Sequence, residues 1–271
     1  PLKLMFPKGC LFFIFSWISV LLQAQTFDQL YLKIDSLYHK EDHKGCLALE
    51  QLILPLIGSR QDTLVANTYF YLGDSYLTDF KTDRALSYFT QERDLRFSLL
   101  PLDPDGYSNS LYNLMYTYQQ DGNVRAAIQT GEVLLVFDEK RYGIESQEYV
   151  YSLGDYTDLL LQSDRWGLAE ANLKKCLEKL SKGSRFYGLV TAKLGDVYSF
   201  SGLYSKASAC FSEAMPVIQK HFGVTSVEYQ LSLANYASLL MQQGKYDQAE
   251  EILSGVITSV EQSDWEEKEG L

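Results

Sequence analysis

Large apolar and aromatic residues recur along this chain at intervals of three, four and seven, and the whole pattern returns every 38 to 42 residues. The recurrence is clearest at five alanines, Ala85, Ala127, Ala169, Ala207 and Ala249, spaced by 42, 42, 38 and 42 residues. Counting back nineteen residues from each alanine sets position 1 of each unit at Ala66, Ser108, Val150, Gly188 and Gln230. Position 4 then reads Tyr69, Leu111, Leu153, Thr191, Leu233; position 7 reads Leu72, Leu114, Tyr156, Leu194, Tyr236; position 11 reads Tyr76, Tyr118, Leu160, Tyr198, Leu240. All but Thr191 are large and apolar or aromatic, and that spacing is one stripe of an α-helix, not the alternation of a strand.

Position 8, beside the stripe, holds Gly73, Met115, Thr157, Gly195 and Ala237, mostly small residues that let a second helix approach. That helix is predicted to begin near position 15 or 17, where Gly122, Gly202 and Gly244 precede Trp166, Tyr204 and Tyr246 or their equivalents. Its alanine at position 20 marks the tightest contact, with Phe89, Leu173, Phe211 and Leu253 one turn on at position 24. Between units, Ser146, Ser184 and Ser226 are placed as N-caps. Glu148 and Glu228 follow in the first turn, where negative charge complements the helix dipole. Tyr142-Gly143 and Phe222-Gly223 are expected to close the preceding helices, with glycine in the left-handed conformation. A unit of this size cannot bury its own apolar face, so copies must stack into a solenoid.

Leu72-Gly73-Asp74-Ser75-Tyr76 and Leu194-Gly195-Asp196-Val197-Tyr198, each with alanine nine residues later, resemble tetratricopeptide repeats over residues 61 to 262. The 42-residue period is similar to the kinesin-light-chain style of that repeat. Relative to the common 34-residue form it lengthens the helices by about 12 Å in total. The resemblance implies an all-α, right-handed superhelical solenoid of antiparallel helix pairs. A degenerate repeat is expected upstream, across 25–60, where Leu30, Ile34 and Leu37 form a helical stripe before Cys46.

Residues 1–24 differ in kind. Lys3 and Lys8 precede an apolar run from Cys10 to Leu22, and Leu22-Gln23-Ala24 offers a small-residue cleavage site, so the segment reads as a secretory signal peptide. The run falls short of the roughly 20 apolar residues a transmembrane helix needs. A periplasmic or extracellular location follows as the expectation, with membrane contact only through the signal; an uncleaved signal anchor is the alternative.

The net charge of −11 provides no basic stripe for phosphate and argues against a nucleic-acid partner. Cys46, Cys176 and Cys210 follow the signal without CxxC spacing, and Cys176 shares position 27 with Ala214 and Val256, which reads as a buried small hydrophobe. His39 and His43 stand four apart on the expected first helix, but no third ligand accompanies them. His221 precedes Phe222-Gly223 as a helix C-terminal cation. There is no GxSxG, HExxH or phosphate loop. No cofactor is expected, and no enzymatic activity is assigned to these residues.

Positions 2, 5, 9 and 12 lie opposite the stripe, and the resemblance implies that this face lines a concave, peptide-binding groove. Asn67, Asn109 and Tyr151 stand at position 2, and Phe70 and Tyr112 at position 5. Position 9 holds Asp74, Tyr116, Asp158, Asp196 and Ser238, while Asn113 and Asn235 occupy position 6 at the groove edge. Asparagine offers donor and acceptor to a peptide backbone, tyrosine gives rigid contact area, and three aspartates favour a basic or amine-bearing segment. The same residues also read as a merely solvated face. The carboxylate clamp of chaperone-binding members is not matched, since among the groove positions only Lys193, at position 6, is basic.

In the last unit Ala249, Ile252, Leu253, Val256 and Ile257 form an apolar face, followed by an acidic tail at 263–271 in which no capping helix is expected. A solenoid end needs a polar cap. The face is therefore expected to be covered by another chain, as in end-to-end self-association, or by a continuation of a longer protein. Two functional classes follow: an exported scaffold that binds a protein or peptide in its groove, or the sensing or substrate-recruiting arm of a larger protein. Similar exported arrays precede caspase-like CHAT peptidase domains, histidine kinases or helix-turn-helix regulators.

Overall fold

The computed structural model describes residues 26–269, with side chains through 259; the signal-peptide expectation at 1–24 lies outside the described residues. Among the described residues there are twelve α-helices and no strand. They are α1 Phe27–Tyr38, α2 His43–Ile53, α3 Thr63–Thr78, α4 Thr82–Ser98, α5 Pro104–Gln120 and α6 Val124–Tyr142. The series continues with α7 Gln147–Gln162, α8 Trp166–Leu177, α9 Arg185–Phe200, α10 Tyr204–Phe222, α11 Val227–Gln242 and α12 Tyr246–Glu269. A single-turn 3₁₀ helix, Leu54–Leu56, follows α2.

Odd and even helices alternate as the first and second members of a pair, and every second helix from α4 onward starts at position 17 of its unit. The turn within each pair is the same six times over. The residue at position 15 takes positive φ: Glu41 (58°), Phe80 (58°), Gly122 (75°), Asp164 (55°), Gly202 (74°) and Gly244 (76°). The next N–H reaches back five residues to the helix, as in Lys81 to the Tyr76 carbonyl (2.9 Å) and Leu203 to the Tyr198 carbonyl (2.8 Å). This is a Schellman-type C-cap, which satisfies carbonyls that the helix end leaves open. It also fixes the register of the upstream repeat: Asp42 N–H bonds the Leu37 carbonyl, α2 begins at His43, and Cys46 stands at the alanine position, fully buried.

The predicted serine caps form as expected, each hydroxyl of Ser146, Ser184 and Ser226 accepting from the N–H three residues on. Gly143 and Gly223 close their helices at φ 85° and 91°, but with ψ 163° and 165°. That region is not the left-handed helical one; it is an extended conformation essentially confined to glycine, so the chain leaves straight instead of curling back. The short spacing of 38 between Ala169 and Ala207 has a local origin. α8 has 12 residues where α6 has 19, and the connector after it, 178–184, is three residues longer than 143–146.

Two compact units divide the chain between Ser110 and Leu111, inside α5. In the first, the core holds Leu30, Ile34, Ile53, Ala66, Leu72, Ala85 and Phe89, each at most 1 % exposed. A buried carboxylate, Glu50 of α2, accepts from the hydroxyls of Tyr76 and Tyr88 and pairs with Arg84, tying α2 to α3 and α4. In the second unit, Ala127, Ala169, Ala207, Ala237 and Ala249 are buried with Leu134, Leu153, Tyr156, Leu173 and Phe211. Positions 8 and 24 trade volume across each pair: Gly73 with Phe89, Met115 with Gly131, Thr157 with Leu173, Gly195 with Phe211, Ala237 with Leu253. A Cβ on Gly195 would stand 3.0 Å from the Phe211 ring, and one on Gly131 would stand 2.9 Å from Met115 Sδ and 2.3 Å from the Tyr156 ring.

His39 and His43 do not share a helix. His39 is the C-cap of α1, and His43 opens α2, where its Nδ1 lies 3.4 Å from Ser75 Oγ. Among the described residues no group of three or more His, Cys, Asp or Glu is placed to hold a metal ion. His221 Nε2 lies 3.0 Å from the Gly183 carbonyl, bridging to the turn before α9. α12 continues through Glu269 and takes in the acidic stretch from Ser263 to that residue. No described helix is long and apolar enough to cross a membrane.

Candidate functional site

In the second unit the first helices of three consecutive repeats, α7, α9 and α11, line a cleft of about 580 Å³. The residues facing it follow a helical face. Position 2 supplies Tyr151, Leu189 and Leu231; position 6 supplies Asp155, Lys193 and Asn235; position 9 supplies Asp158, Asp196 and Ser238; position 13 supplies Phe200 and Gln242. At 100° per residue these four positions fall within a 60° arc, whereas 5 and 12 lie to one side of it. Position 6 therefore sits in the cleft and not at its edge. Positions 5 and 12 approach the seam with the neighbouring repeat, where Ala192 and Ser199 are buried.

Polar contacts bind the seams. Lys193 Nζ donates to both Asp158 oxygens at 3.0 Å and stands 3.8 Å from Asp196. Asn235 donates to Asp196 Oδ2 at 2.9 Å, and Ser199 donates to Gln242 Oε1 at 3.1 Å. On the other side of α7, Gln119 of α5 donates to Gln162 Oε1 at 2.6 Å. Position 9 of one repeat thus meets position 6 of the next, and position 12 meets position 13. A longer contact crosses two repeats: Tyr151 of α7 donates to Glu228 Oε1 at 2.8 Å, closing one end of the cleft.

Electrostatics inside the cleft are uneven. Burial pushes the Asp196 carboxyl up to about 7, against the opposing pull of Lys193. Burial works against the Lys193 charge, but Asp196 and Asp158 outweigh it and hold its pKa above the usual lysine value. Asp155 is raised by the low-dielectric walls around it and by Asp158, with Lys193 opposing. Burial and the Glu228 carboxylate push the Tyr151 phenol up to about 12. Asp158 and Asp196 are taken up by Lys193 and Asn235, while no hydrogen bond or ion pair engages Asp155 among the described residues.

Of the eleven residues expected in the groove, the cleft gathers Tyr151, Asp158, Asp196 and Asn235. Tyr112, Asn113 and Tyr116 stand on the adjoining part of α5, where the two tyrosines are exposed and burial, Asp155 and Tyr116 raise the Tyr112 phenol. Asn67, Phe70, Asp74 and Asn109 belong to the first unit. Asn67 is engaged there at both ends of its amide, donating to Tyr31 at 3.2 Å and accepting from Arg96 at 2.8 Å. Phe70 packs edge-on against Tyr38 at 5.4 Å, and Asp74 lies 4.0 Å from His43. Asn109 is exposed. Asp155, Leu189, Leu231 and Phe200 were not expected; the signal lay in the polar column at position 6 and in Gln120, Gln162 and Gln242 at position 13.

A family model described as tetratricopeptide repeat matches residues 232–259, which run from inside α11 through its turn and over the described side chains of α12. The fold is a tetratricopeptide-repeat array. A Podosopora anserina kinesin-light-chain structure with nearly identical TPR-like repeats is similar at 15% identity, over 73% of this chain and 95% of that one, with a TM-score of 0.54. The apo form of RapI is similar at 15% identity, over 90% and 69%, with a TM-score of 0.64. The apo form of the quorum sensor NprR from B. thuringiensis is similar at 12% identity, over 86% and 64%, with a TM-score of 0.54. At these identities the likeness is one of fold. No curated protein matches the sequence of the array.

Proposed function

We propose that the array is an exported, non-enzymatic scaffold whose cleft across α7, α9 and α11 binds an extended polypeptide segment. The observation that carries this reading is the cleft itself, with Leu231 and Phe200 each 60% exposed beside hydrogen-bonding groups of Asn235, Ser238 and Gln242. Apolar walls with a few convergent polar groups are what a bound chain needs, since its backbone must be satisfied while its side chains leave water. Export is supported by Lys3 and Lys8 ahead of the apolar run that ends at Leu22. Contact of the last repeat with a second copy is the accompanying proposal for Ile257, which is exposed on α12.

A photocrosslinking amino acid placed at Leu231 or Phe200 of the full chain, and separately at Val136 on α6, tests the cleft with a library of random peptides. Crosslinking from the two cleft positions and not from Val136 is the expected outcome. Equal labelling at Val136, which is 69% exposed and lies away from the cleft lining, would overturn the reading.

A further inference from the structure

The carboxylates of the cleft are not equivalent. Asp158 is held at both oxygens by Lys193, and Asp196 is buried beneath Asn235 and Lys193, so these two serve the seams between repeats. Asp155 is one turn from Tyr151 on α7, is open to the cleft, and has no hydrogen bond or ion pair among the described residues. On its α5 side lie Tyr112 and Tyr116, one turn apart from each other and both exposed. Among Asp155, Asp158, Asp196 and Lys193 the carboxylates outnumber the one cation even when Asp196 is protonated. An incoming ammonium or guanidinium therefore meets an excess of negative charge, a carboxylate with free lone pairs, and phenol rings whose faces attract cations.

We propose that the cleft selects a polypeptide segment bearing a lysine or arginine side chain and that Asp155 receives its charge. The proposal rests on the peptide-binding reading above and adds the chemistry of the occupant. Leu189, Leu231 and Phe200 provide the apolar wall for the residues that flank the cation, so the segment combines basic and apolar side chains. Lys193 occupies both oxygens of Asp158 and leaves those of Asp155 without a bonded partner among the described residues.

The test uses the full chain and two fluorescent synthetic peptides, one alternating leucine with lysine, the other with glutamine in place of each lysine. Binding is read by anisotropy in low and high salt for the wild type and for Asp155→Asn. The lysine peptide is expected to bind the wild type about tenfold or more tightly than the glutamine peptide. Asp155→Asn, which removes no intramolecular bond, is expected to abolish that preference, and salt to weaken it. Equal binding of the two peptides, or a preference unchanged in Asp155→Asn, would overturn the cation proposal while leaving the cleft intact. If neither peptide binds and the random library is not crosslinked either, the peptide-binding reading itself falls.

Discussion

Phe80 sits at the position-15 turn with φ 58° and its ring 93% exposed, in a place where three other repeats use glycine. A bulky residue there bears the clash between Cβ and the following carbonyl without any packing in return. Phe80→Gly is therefore expected to stabilise the array by about 0.5–1 kcal/mol, read as a raised urea midpoint with an unchanged m-value. The sequence disclosed this turn wherever glycine occupied it, at Gly122, Gly202 and Gly244. It hid the same turn at Glu41, Phe80 and Asp164, because there the conformation is imposed by the two flanking helices. Asn67 illustrates the converse at a candidate site: its residue type suggested ligand contact, but both ends of its amide are spent on Tyr31 and Arg96. Local sequence names a donor and an acceptor, and only the neighbours decide whether they are free.

A helix pair is held by a sum of volumes more than by any single residue. Where position 8 is glycine, position 24 is phenylalanine, and where position 8 is Met115, position 24 is Gly131. Gly195→Met alone is expected to overpack α9 against α10 and to destabilise by about 1–3 kcal/mol. Adding Phe211→Gly should recover part of that loss, with a coupling of roughly 1 kcal/mol or more in a double-mutant cycle followed by denaturant unfolding. Strictly additive losses would show that the two positions do not share one space. Elements were the most legible level, since the three-four-seven stripe, the alanine column and the serine caps each state a local requirement that recurs. The break in period after α8 was visible as a number, 38, but its form was not: a helix shortened by seven residues and a connector lengthened by three leave the same trace as other combinations.

Across the molecule, the seams between repeats bring together groups that no single repeat contains. Asp196 has a folded pKa of about 7 against an ordinary carboxylate value in the unfolded chain, set by burial and by Asp158, with Lys193 and Asn235 opposing. The folded state thus binds this proton more tightly, so its contribution to stability is fully present below the unfolded pKa and is lost as pH rises from about 4 to about 7. Asp196→Asn is expected to remove a decline of roughly 2–4 kcal/mol over that window, measured as the difference between the unfolding free energies of variant and wild type at each pH. A difference that stays constant with pH would refute the assignment. By itself the sequence determined the all-α class, the repeat and its period, because burial of one helical face demands a periodic stripe that can be counted. Which polar residues of the opposite face are consumed in rungs such as Lys193 to Asp158, and which, like Asp155, are left open, was decided only by the tertiary structure. Those partners come from the next repeat, some 35 to 40 residues away, and their pairing depends on how adjacent helices are turned toward one another.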